Sequence, residues 1–247
     1  MKNITLWILT IFCAVSCTGG NNEAVSPSSG NGTSGSMARF ALLGDYLYAI
    51  TDNGNLQSFN VQETEKPLYV NSMYVGWNLE TIFPYQNKLF IGSQNGMYIM
   101  STTNPTTPEL LSNYLHVTAC DPVVAQGNYA YVTLRSGRTC NQIAPNQLEV
   151  IDISNPRNPL SVNTMPMTSP QGLGIDGAAL FVCDNGLKIF DASNPNNLVQ
   201  KANFNINAHD VIPMNGNLMA IGNDGLYQYS YTDSTIELLS KIKIISL

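Results

Sequence analysis

The stretch that decides the fold is Leu148-Glu-Val-Ile-Asp-Ile-Ser-Asn155-Pro156, an apolar strand that runs into an Asn-Pro turn. Proline presets its own φ and cannot sit in a central ladder, so this turn starts an outer strand. The same pattern returns at 97–105 and 187–195, and diverged copies start at Leu56 and Leu226. One supersecondary unit therefore recurs about every 40 residues.

Each unit reads as four antiparallel strands. In the third copy we predict strands at 123–125, 129–133, 148–153 and 160–165, with an insertion of about ten residues before the third strand. The other copies have Asn-Gly or Asp-Gly at that point, and these pairs accept the positive φ of a tight hairpin turn.

Four-stranded units of this length are typical of a β-propeller. We predict an all-β, five-bladed β-propeller of four-stranded antiparallel blades over residues 37–247. A β-solenoid or an open sandwich is the alternative, disfavoured because solenoid turns are shorter and do not alternate with Asn-Pro turns. The predicted repeats are roughly 38–77, 78–118, 119–168, 169–207 and 208–247.

The composition excludes several classes of protein. Only 11% of the residues are charged, against about 25% in an average soluble domain. Hydrophobic residues nevertheless reach 44% and the mean hydropathy is −0.03, which excludes a disordered polyelectrolyte and a polytopic membrane protein. With a net charge of −6 and a pI near 4.7, we expect no nucleic-acid partner.

Residues 1–16 have the form of an export signal. Lys2 precedes a short apolar run at residues 6–15, and small residues close that run. The run has about half the length needed to span a bilayer. Because Cys17 follows Ala-Val-Ser, the segment resembles a bacterial lipoprotein signal, and that resemblance implies acylation of Cys17. An ordinary secretory signal with an incidental cysteine is the alternative.

The next segment, residues 17–36, contains the lipidated Cys17 and is otherwise almost entirely Gly, Ser, Asn and Thr. Such a composition predicts a flexible linker. We therefore expect a protein anchored to the bacterial outer membrane through lipid, with its periplasmic or extracellular placement left open.

The sequence LEVIDISNPRNP at 148–159, echoed by LKIFDASNPNN at 187–197, resembles the LVIVD-repeat family of bacterial exported and surface proteins. The resemblance covers residues 38 to about 245 and implies a propeller on the cell envelope without an established activity. The first, second and fifth copies depart from the motif. Asp152 and Asp191 occupy one repeat position, where we expect each carboxylate to accept N–H groups of the following turn.

A second string, Gly172-Leu-Gly174-Ile-Asp-Gly177, matches GxGxxG. A dinucleotide site needs that string between a parallel strand and a helix. Here it aligns with an inner strand and its hairpin turn, so we interpret the glycines as packing residues around the axis.

The sequence has five cysteines, of which Cys13 leaves with the signal. Cys120 precedes the inner strand of the third unit and Cys140 lies in the insertion, so both loops emerge on one face of a propeller. We predict a disulfide between Cys120 and Cys140, with free thiols as the alternative. Cys183 is expected to be a small buried hydrophobe.

Aligned starts of the inner strands place Ala38, Glu80, Asp121, Gln171 and Asp210 at one level around the axis, with His209 beside the last. Three carboxylates converging there could hold Ca²⁺ or a polar ligand. The alternative, which we favour, is that they accept hydrogen bonds from loop amides and line a water-filled channel. No cofactor is otherwise indicated, and whether any metal binds is left unknown.

The functional hypothesis is a non-enzymatic binding or scaffold lipoprotein that presents its loop face to an envelope protein or glycan. The insertion, with Arg135 and Arg138, is the expected recognition element. An envelope glycan-active hydrolase or lyase that uses the carboxylates at the channel mouth is the alternative, and a purely structural spacer is a third possibility. The sequence marks no catalytic residue.

Overall fold

The structure is a computed structural model that describes residues 35–115, 122–137 and 145–244. These residues form five separate four-stranded sheets, each antiparallel and each built from four strands that are consecutive in the chain. No helix occurs within the described ranges. The predicted all-β, five-bladed propeller of four-stranded antiparallel blades is confirmed.

The blades follow one another in chain order, and the first strand of each lies innermost. Their strands are, for blade 1, β1 (Phe40–Leu43), β2 (Tyr46–Ile50), β3 (Asn55–Asn60) and β4 (Leu68–Tyr74); for blade 2, β5 (Leu79–Tyr85), β6 (Lys88–Ser93), β7 (Gly96–Ser101) and β8 (Glu109–Leu115); for blade 3, β9 (Val123–Gln126), β10 (Tyr129–Leu134), β11 (Gln147–Asp152) and β12 (Leu160–Pro166); for blade 4, β13 (Pro170–Asp176), β14 (Ala179–Asp184), β15 (Leu187–Asp191) and β16 (Val199–Phe204); and for blade 5, β17 (Asp210–Met214), β18 (Asn217–Gly222), β19 (Gly225–Tyr231) and β20 (Ile236–Lys243).

Among the described residues, no helix is long and apolar enough to cross a membrane.

A bulge recurs at one point of every blade. The register between the third and fourth strands shifts after Ser58, Ile99, Val150, Ile189 and Gln228, each the third residue of its repeat motif. A bulge bends its strand and strengthens the local twist. The first and fifth copies, whose sequences diverge, therefore keep the geometry of the others.

The predicted hairpin turns are also present. In blade 4, Asn185 has a φ of 50° and Gly186 a φ of 126°, values that a tight turn requires and that glycine reaches without strain. A Cβ on Gly186 would lie only 2.6 Å from the carbonyl oxygen of Phe204. Backbone conformation and crowding together require glycine there.

The repeated aspartates have the structural role predicted for them. Asp152 accepts a hydrogen bond from the backbone N–H of Ser154 at 2.8 Å, and Asp191 accepts one from Ser193 at 3.0 Å. In blade 1, Asn60 holds the equivalent turn at 2.9 Å. The backbone N–H of Ser154 and its hydroxyl hold the pKa of Asp152 below its usual range, since they stabilise the charged carboxylate.

The hydrophobic core lies between blades rather than within one of them. Four buried clusters join neighbouring blades from 1–2 to 4–5, and the second strands of blades 2, 3 and 4 are buried along nearly their whole length. In β14 all six residues are buried, including Cys183 as predicted. A strand covered on both faces needs apolar residues at successive positions rather than alternate ones.

The antiparallel order gives the propeller two unlike ends. The end where the first strands begin, with the turns between second and third strands, also contains residues 135–137 and 145–146, and we call it the insertion face. The opposite end, with the turns between first and second strands and the Asn-Pro turns, is the turn face.

Two rows of hydrogen bonds on the turn face join neighbouring blades, the outer row from blade 1 to blade 4 and the inner row from blade 2 to blade 5. In the outer row, a side chain of one blade donates to the proline carbonyl of the following Asn-Pro turn: Tyr48 to Pro105 (3.2 Å), Ser112 to Pro156 (2.7 Å) and Asn163 to Pro195 (3.2 Å). In the inner row, the last side chain of an inner strand accepts a backbone N–H of the next blade: Tyr85 from Gly127 (2.7 Å), Gln126 from Gly177 (3.1 Å) and Asp176 from Asn215 (3.0 Å).

The seam between blades 5 and 1 differs from the four other interfaces. Within the described ranges no buried cluster joins these two blades. Leu42 of β1 is 47% exposed and Ile221 of β18 is 42% exposed. In β2 and β18 the fully buried residues alternate with more exposed ones, as expected for a sheet covered on one face only.

Candidate functional site

The candidate site is the axial mouth on the insertion face. Glu80 and Gln171 are the second residues of β5 and β13, and Asp210 is the first residue of β17. Glu80, Gln171 and Arg135 line one cavity of about 240 Å³, together with Met37 and Arg39 among others. The structure thus brings together three of the residues predicted from aligned strand starts and from the insertion.

Asp210 does not present a free carboxylate to this mouth. It is 7% exposed and accepts hydrogen bonds from the Ser36 hydroxyl at 2.7 Å, the Met37 N–H at 3.3 Å and the Val211 N–H at 3.0 Å. Ser36 is itself fully buried, and its oxygen accepts the N–H of Leu173 at 2.8 Å. The chain entering the propeller therefore occupies the centre of the mouth.

This arrangement resembles the alternative favoured from the sequence, in which the carboxylates accept hydrogen bonds from loop N–H groups. The ring of possible cation ligands, of which Asp210 is one member, stays a prediction. The physical reason is burial: a buried carboxyl group must be hydrogen-bonded, and segment 35–37 supplies the donors. Burial raises the pKa of Asp210, and the bonds from Ser36, Met37 and Val211 oppose that rise.

His209 lies beside the mouth, held between two amide side chains of different blades. Its Nδ1 lies 3.1 Å from Gln171 Oε1, and its Nε2 lies 2.5 Å from Asn223 Oδ1. A neutral imidazole can donate from only one nitrogen, so one of the two amides must then turn its NH₂ group towards the ring. Gln171 is thus a link between blades 4 and 5 as well as a cavity residue.

The part of the chain that the structure describes contains no group of three His, Cys, Asp or Glu residues placed to hold a metal ion. Calcium needs six to eight oxygen ligands, and Asp210 is already occupied by segment 35–37. Several predicted site residues lie outside the described residues: Cys17, Cys120, Asp121, Arg138 and Cys140.

A second cavity adjoins the first on the insertion face. It has a volume of about 320 Å³, shares Gln171, and is lined by amide side chains that include Asn185, Asn205 and Asn207. The two cavities together offer a guanidinium, a carboxylate and several amides. Groups of this kind exchange paired hydrogen bonds with polar ligands.

The glycines of the GxGxxG string serve packing, as predicted. A Cβ on Gly172 would lie 2.7 Å from the carbonyl oxygen of His209 and would collide with the carboxylate of Asp210. A Cβ on Gly174 would collide with the ring of Pro213. The string lies in a strand and hairpin turn, with no helix N-terminus to receive a phosphate.

Comparison with family models gives matches to the LVIVD repeat at residues 118–138, 142–165 and 171–206. These segments fall in blades 3 and 4, where the Asp152 and Asp191 turns lie. The chain is a β-propeller that carries LVIVD repeats.

Solved structures similar to this LVIVD-repeat propeller share its fold at low identity. A protein from Lactobacillus plantarum matches with a TM-score of 0.60 and 11% identity, covering 81% of this chain and 72% of its own. A functionally unknown protein from Desulfotomaculum acetoxidans matches with a TM-score of 0.66 and 10% identity, over 86% and 70% of the two chains. BamB from Moraxella catarrhalis matches with a TM-score of 0.54 and 12% identity, over 82% of this chain and 62% of BamB. Comparison with curated protein sequences gives no significant match.

Two residues that support the site of the LVIVD-repeat propeller were missed by sequence reasoning. Ser36 is indistinguishable in the sequence from the other serines of the linker. Asp184 is fully buried and accepts bonds from Lys188 Nζ at 2.6 Å and from the N–H of Ser169 at 2.6 Å, which fixes the chain just before Gln171. In the sequence, only the position of Asp184 directly before Asn185-Gly186 could have indicated this supporting role.

The charge of Asp184 follows from these contacts. Burial by itself would raise the pKa of this carboxyl group, because it disfavours the charged form. The Lys188 ammonium and the N–H groups of Ser169 and Thr168 outweigh burial and hold the pKa below its usual range. A charged, paired Asp184 therefore anchors the segment that carries Gln171.

Proposed function

We propose that this protein is a non-enzymatic binding lipoprotein of the bacterial outer membrane whose insertion face binds an envelope protein or a glycan. The observation that carries the proposal is the insertion-face cavity, which gathers Glu80, Gln171 and Arg135 at the start of the insertion. Rigid blades that position a loop for binding are a common use of such scaffolds.

The chemistry of the two neighbouring cavities favours a polar ligand. Arg135 can bind a carboxylate with two parallel hydrogen bonds. The amides that line the second cavity, such as Asn185 and Asn207, can each donate and accept, as sugar hydroxyls do. An acidic segment of a protein and a glycan are the two ligands that these groups suit.

The environment of Asp210 favours binding over hydrolysis. A glycoside hydrolase places two carboxyl groups about 5–9.5 Å apart on either side of the bond that it cleaves. Asp210 instead holds Ser36 and Met37 in place. The alternative, a glycan-active hydrolase or lyase, would have to use Glu80 with Asp121.

Membrane attachment through Cys17 would keep the binding face near the membrane surface. The chain enters the propeller at Ser36 and Met37, on the insertion face. The residues between Cys17 and Ser36 can span at most about 65 Å when fully extended. An acylated Cys17 would therefore keep Ser36, on the insertion face, within about 65 Å of the membrane, where envelope proteins and glycans are its neighbours.

The proposal can be tested by capture from native envelopes with the tagged, full-length protein. We expect Arg135→Glu to abolish capture of the partner, because it reverses the charge at the cavity. Arg157→Glu is the matched control: Arg157 is an exposed arginine on the turn face and should capture as the wild type does. Cys17→Ala should move the protein from the membrane fraction to the soluble fraction.

Two results would contradict the proposal. One is equal capture by the Arg135→Glu and wild-type proteins. The other is turnover of an envelope glycan by the purified protein that Glu80→Gln or Asp121→Asn abolishes, which would make it an enzyme.

A further inference from the structure

An exposed aromatic pair stands on the insertion face, where the chain passes from β4 of blade 1 to β5 of blade 2. Trp77 is 70% exposed, and Tyr74, which is 54% exposed, packs edge-to-face against it with ring centroids 6.3 Å apart. Tryptophan is on average highly buried in folded proteins, because its indole ring is large and apolar. The exposed ring of Trp77 therefore offers a flat apolar surface that a ligand can cover.

The segment that carries Trp77 is fixed on both sides of the ring. Before it, the N–H of Val75 donates to the carbonyl oxygen of Gly54, in a turn of blade 1, at 2.9 Å. After it, the side chain of Asn78 donates to Gln94 Oε1, in a turn of blade 2, at 3.0 Å, and the carbonyl of Asn78 accepts the N–H of Gln94 at 3.3 Å. A chain that is already fixed loses little conformational freedom when a ligand covers its side chain.

The groups around this ring are amides and one carboxylate. Asn78 and Gln94 lie next to Trp77 at the protein surface, and Asn53 directly precedes the glycine that holds its segment. Glu80 lines the cavity of about 240 Å³ and follows Trp77 by three residues, so the Cα atoms of the two are at most about 11 Å apart. One extended ligand can therefore contact both the ring and the cavity.

We propose that the ligand of the insertion face is a glycan, one of whose uncharged sugar rings stacks on Trp77 while its hydroxyl groups bond the neighbouring amides and the cavity. This inference rests on the proposed function and selects one of the two ligands named there. A pyranose ring has a face of C–H groups that can lie on an aromatic ring. Its rim of hydroxyl groups donates and accepts hydrogen bonds, as the amides of Asn78 and Gln94 do.

The same surroundings suit a protein ligand less well. A tryptophan that anchors a protein partner is usually enclosed by contacts that exclude water, whereas Trp77 has exposed amide groups beside it. The carboxylate of Glu80 would repel an acidic protein segment, but it can accept hydrogen bonds from sugar hydroxyl groups. Charge and hydration thus both favour the glycan.

The turn face carries an aromatic pair of similar geometry in a different setting. Tyr69 is 62% exposed and packs edge-to-face on Phe59 with ring centroids 5.9 Å apart. The turn before Tyr69 contains charged residues, such as Glu63 and Lys66, where Trp77 has amides. Tyr69 therefore provides the matched control: an exposed aromatic ring with an edge-to-face partner on the opposite face of the propeller.

The experiment uses the full chain with Trp7→Phe, so that Trp77 is its single tryptophan, purified in a detergent that contains no sugar. The protein is first applied to an array of neutral and acidic oligosaccharides, and the oligosaccharide that binds best is titrated against tryptophan fluorescence. We expect a saturable change in the emission of Trp77. In calorimetric titrations Trp77→Ala should weaken binding by at least about tenfold, and Trp77→Phe, which keeps an aromatic ring, by less. Tyr69→Ala should bind as the unaltered protein does, and circular dichroism checks that each variant is folded.

The results separate this inference from the proposed function. The glycan is rejected if no oligosaccharide on the array binds, or if Trp77→Ala binds the selected one as tightly as Tyr69→Ala does. If Arg135→Glu nevertheless abolishes capture of a protein from native envelopes, the insertion face binds a protein, and only the glycan inference is overturned. Equal capture by Arg135→Glu and the wild type counts against the proposed function instead.

Discussion

The hydroxyl of Ser36 donates a 2.7 Å hydrogen bond to the carboxylate of Asp210, a residue 174 positions further along the chain. Both residues are buried, and the same Ser36 oxygen accepts the N–H of Leu173. One small side chain thereby joins the entering chain to the inner strands of blades 4 and 5. It also engages one carboxylate of the predicted acidic mouth, that of Asp210, in buried hydrogen bonds.

Ser36→Ala should destabilise the fold by about 2 kcal/mol, because it leaves the Leu173 N–H and an oxygen of Asp210 short of a partner in a buried site. Urea unfolding followed by fluorescence measures this change. Ser240→Ala is the control: its hydroxyl bonds Gln228 at an exposed site, and we expect a change below about 0.5 kcal/mol. Equal changes in the free energy of unfolding would mean that the hydrogen bond of Ser36 stabilises the fold no more than the exposed bond of Ser240.

Gly172→Ala should destabilise the protein by about 3 kcal/mol or more, since the added methyl group meets the backbone oxygen of His209 and the carboxylate of Asp210. Gly137→Ala is the matched control, because a Cβ there meets nothing within 4 Å. Thermal unfolding of the two variants provides the comparison. If Gly172→Ala unfolds like the wild type, blades 4 and 5 are not closely packed at this point.

Lys188→Met should cost about 2–3 kcal/mol, because the fully buried Asp184 would lose its charged partner. The exposed pair of Arg157 and Glu109 has a similar length of 2.7 Å and provides the control. Arg157→Met should change the free energy of unfolding by less than about 1 kcal/mol. A double-mutant cycle of Lys188→Met with Asp184→Asn measures the coupling, and a coupling near zero would contradict the assigned role of the pair.

The turn aspartate Asp191 predicts a dependence of stability on pH. The hydroxyl and N–H of Ser193, with Lys201, lower its pKa from the ordinary value of 3.8 to about 2. Because the folded pKa is the lower one, the stabilisation is present above about 3.8 and is lost as the pH falls towards about 2.

Asp191→Asn tests this dependence. Asn60 holds the equivalent turn in blade 1, so the variant should fold while the difference in unfolding free energy from the wild type shrinks between pH 4 and pH 2. Asp45→Asn, in the exposed turn after β1, serves as the control for a general loss of negative charge. A difference that stays constant over this pH range would show that the charge of Asp191 does not stabilise its turn.

Much of the fold could be predicted because strands and turns depend on local sequence patterns. The copies that start at Leu56 and Leu226 lack the full motif, yet their alternation and turn residues were enough to place them. The candidate site was only partly predictable. Aligned strand starts predicted Glu80 and Gln171 at one level around the axis, and both line one cavity of the structure. An alignment cannot show which other residues, such as Ser36, lie near them.

The amino-acid sequence by itself determined five four-stranded units, their turns and the structural role of Asp152 and Asp191, because strands and tight turns depend on neighbours only a few residues away. The tertiary structure alone decided that Ser36 occupies the acidic mouth, that Asp184 is paired in the core, and that blades 1 and 5 keep uncovered faces. Each of these depends on which surfaces meet when the units assemble, and that depends on contacts between residues far apart in the chain.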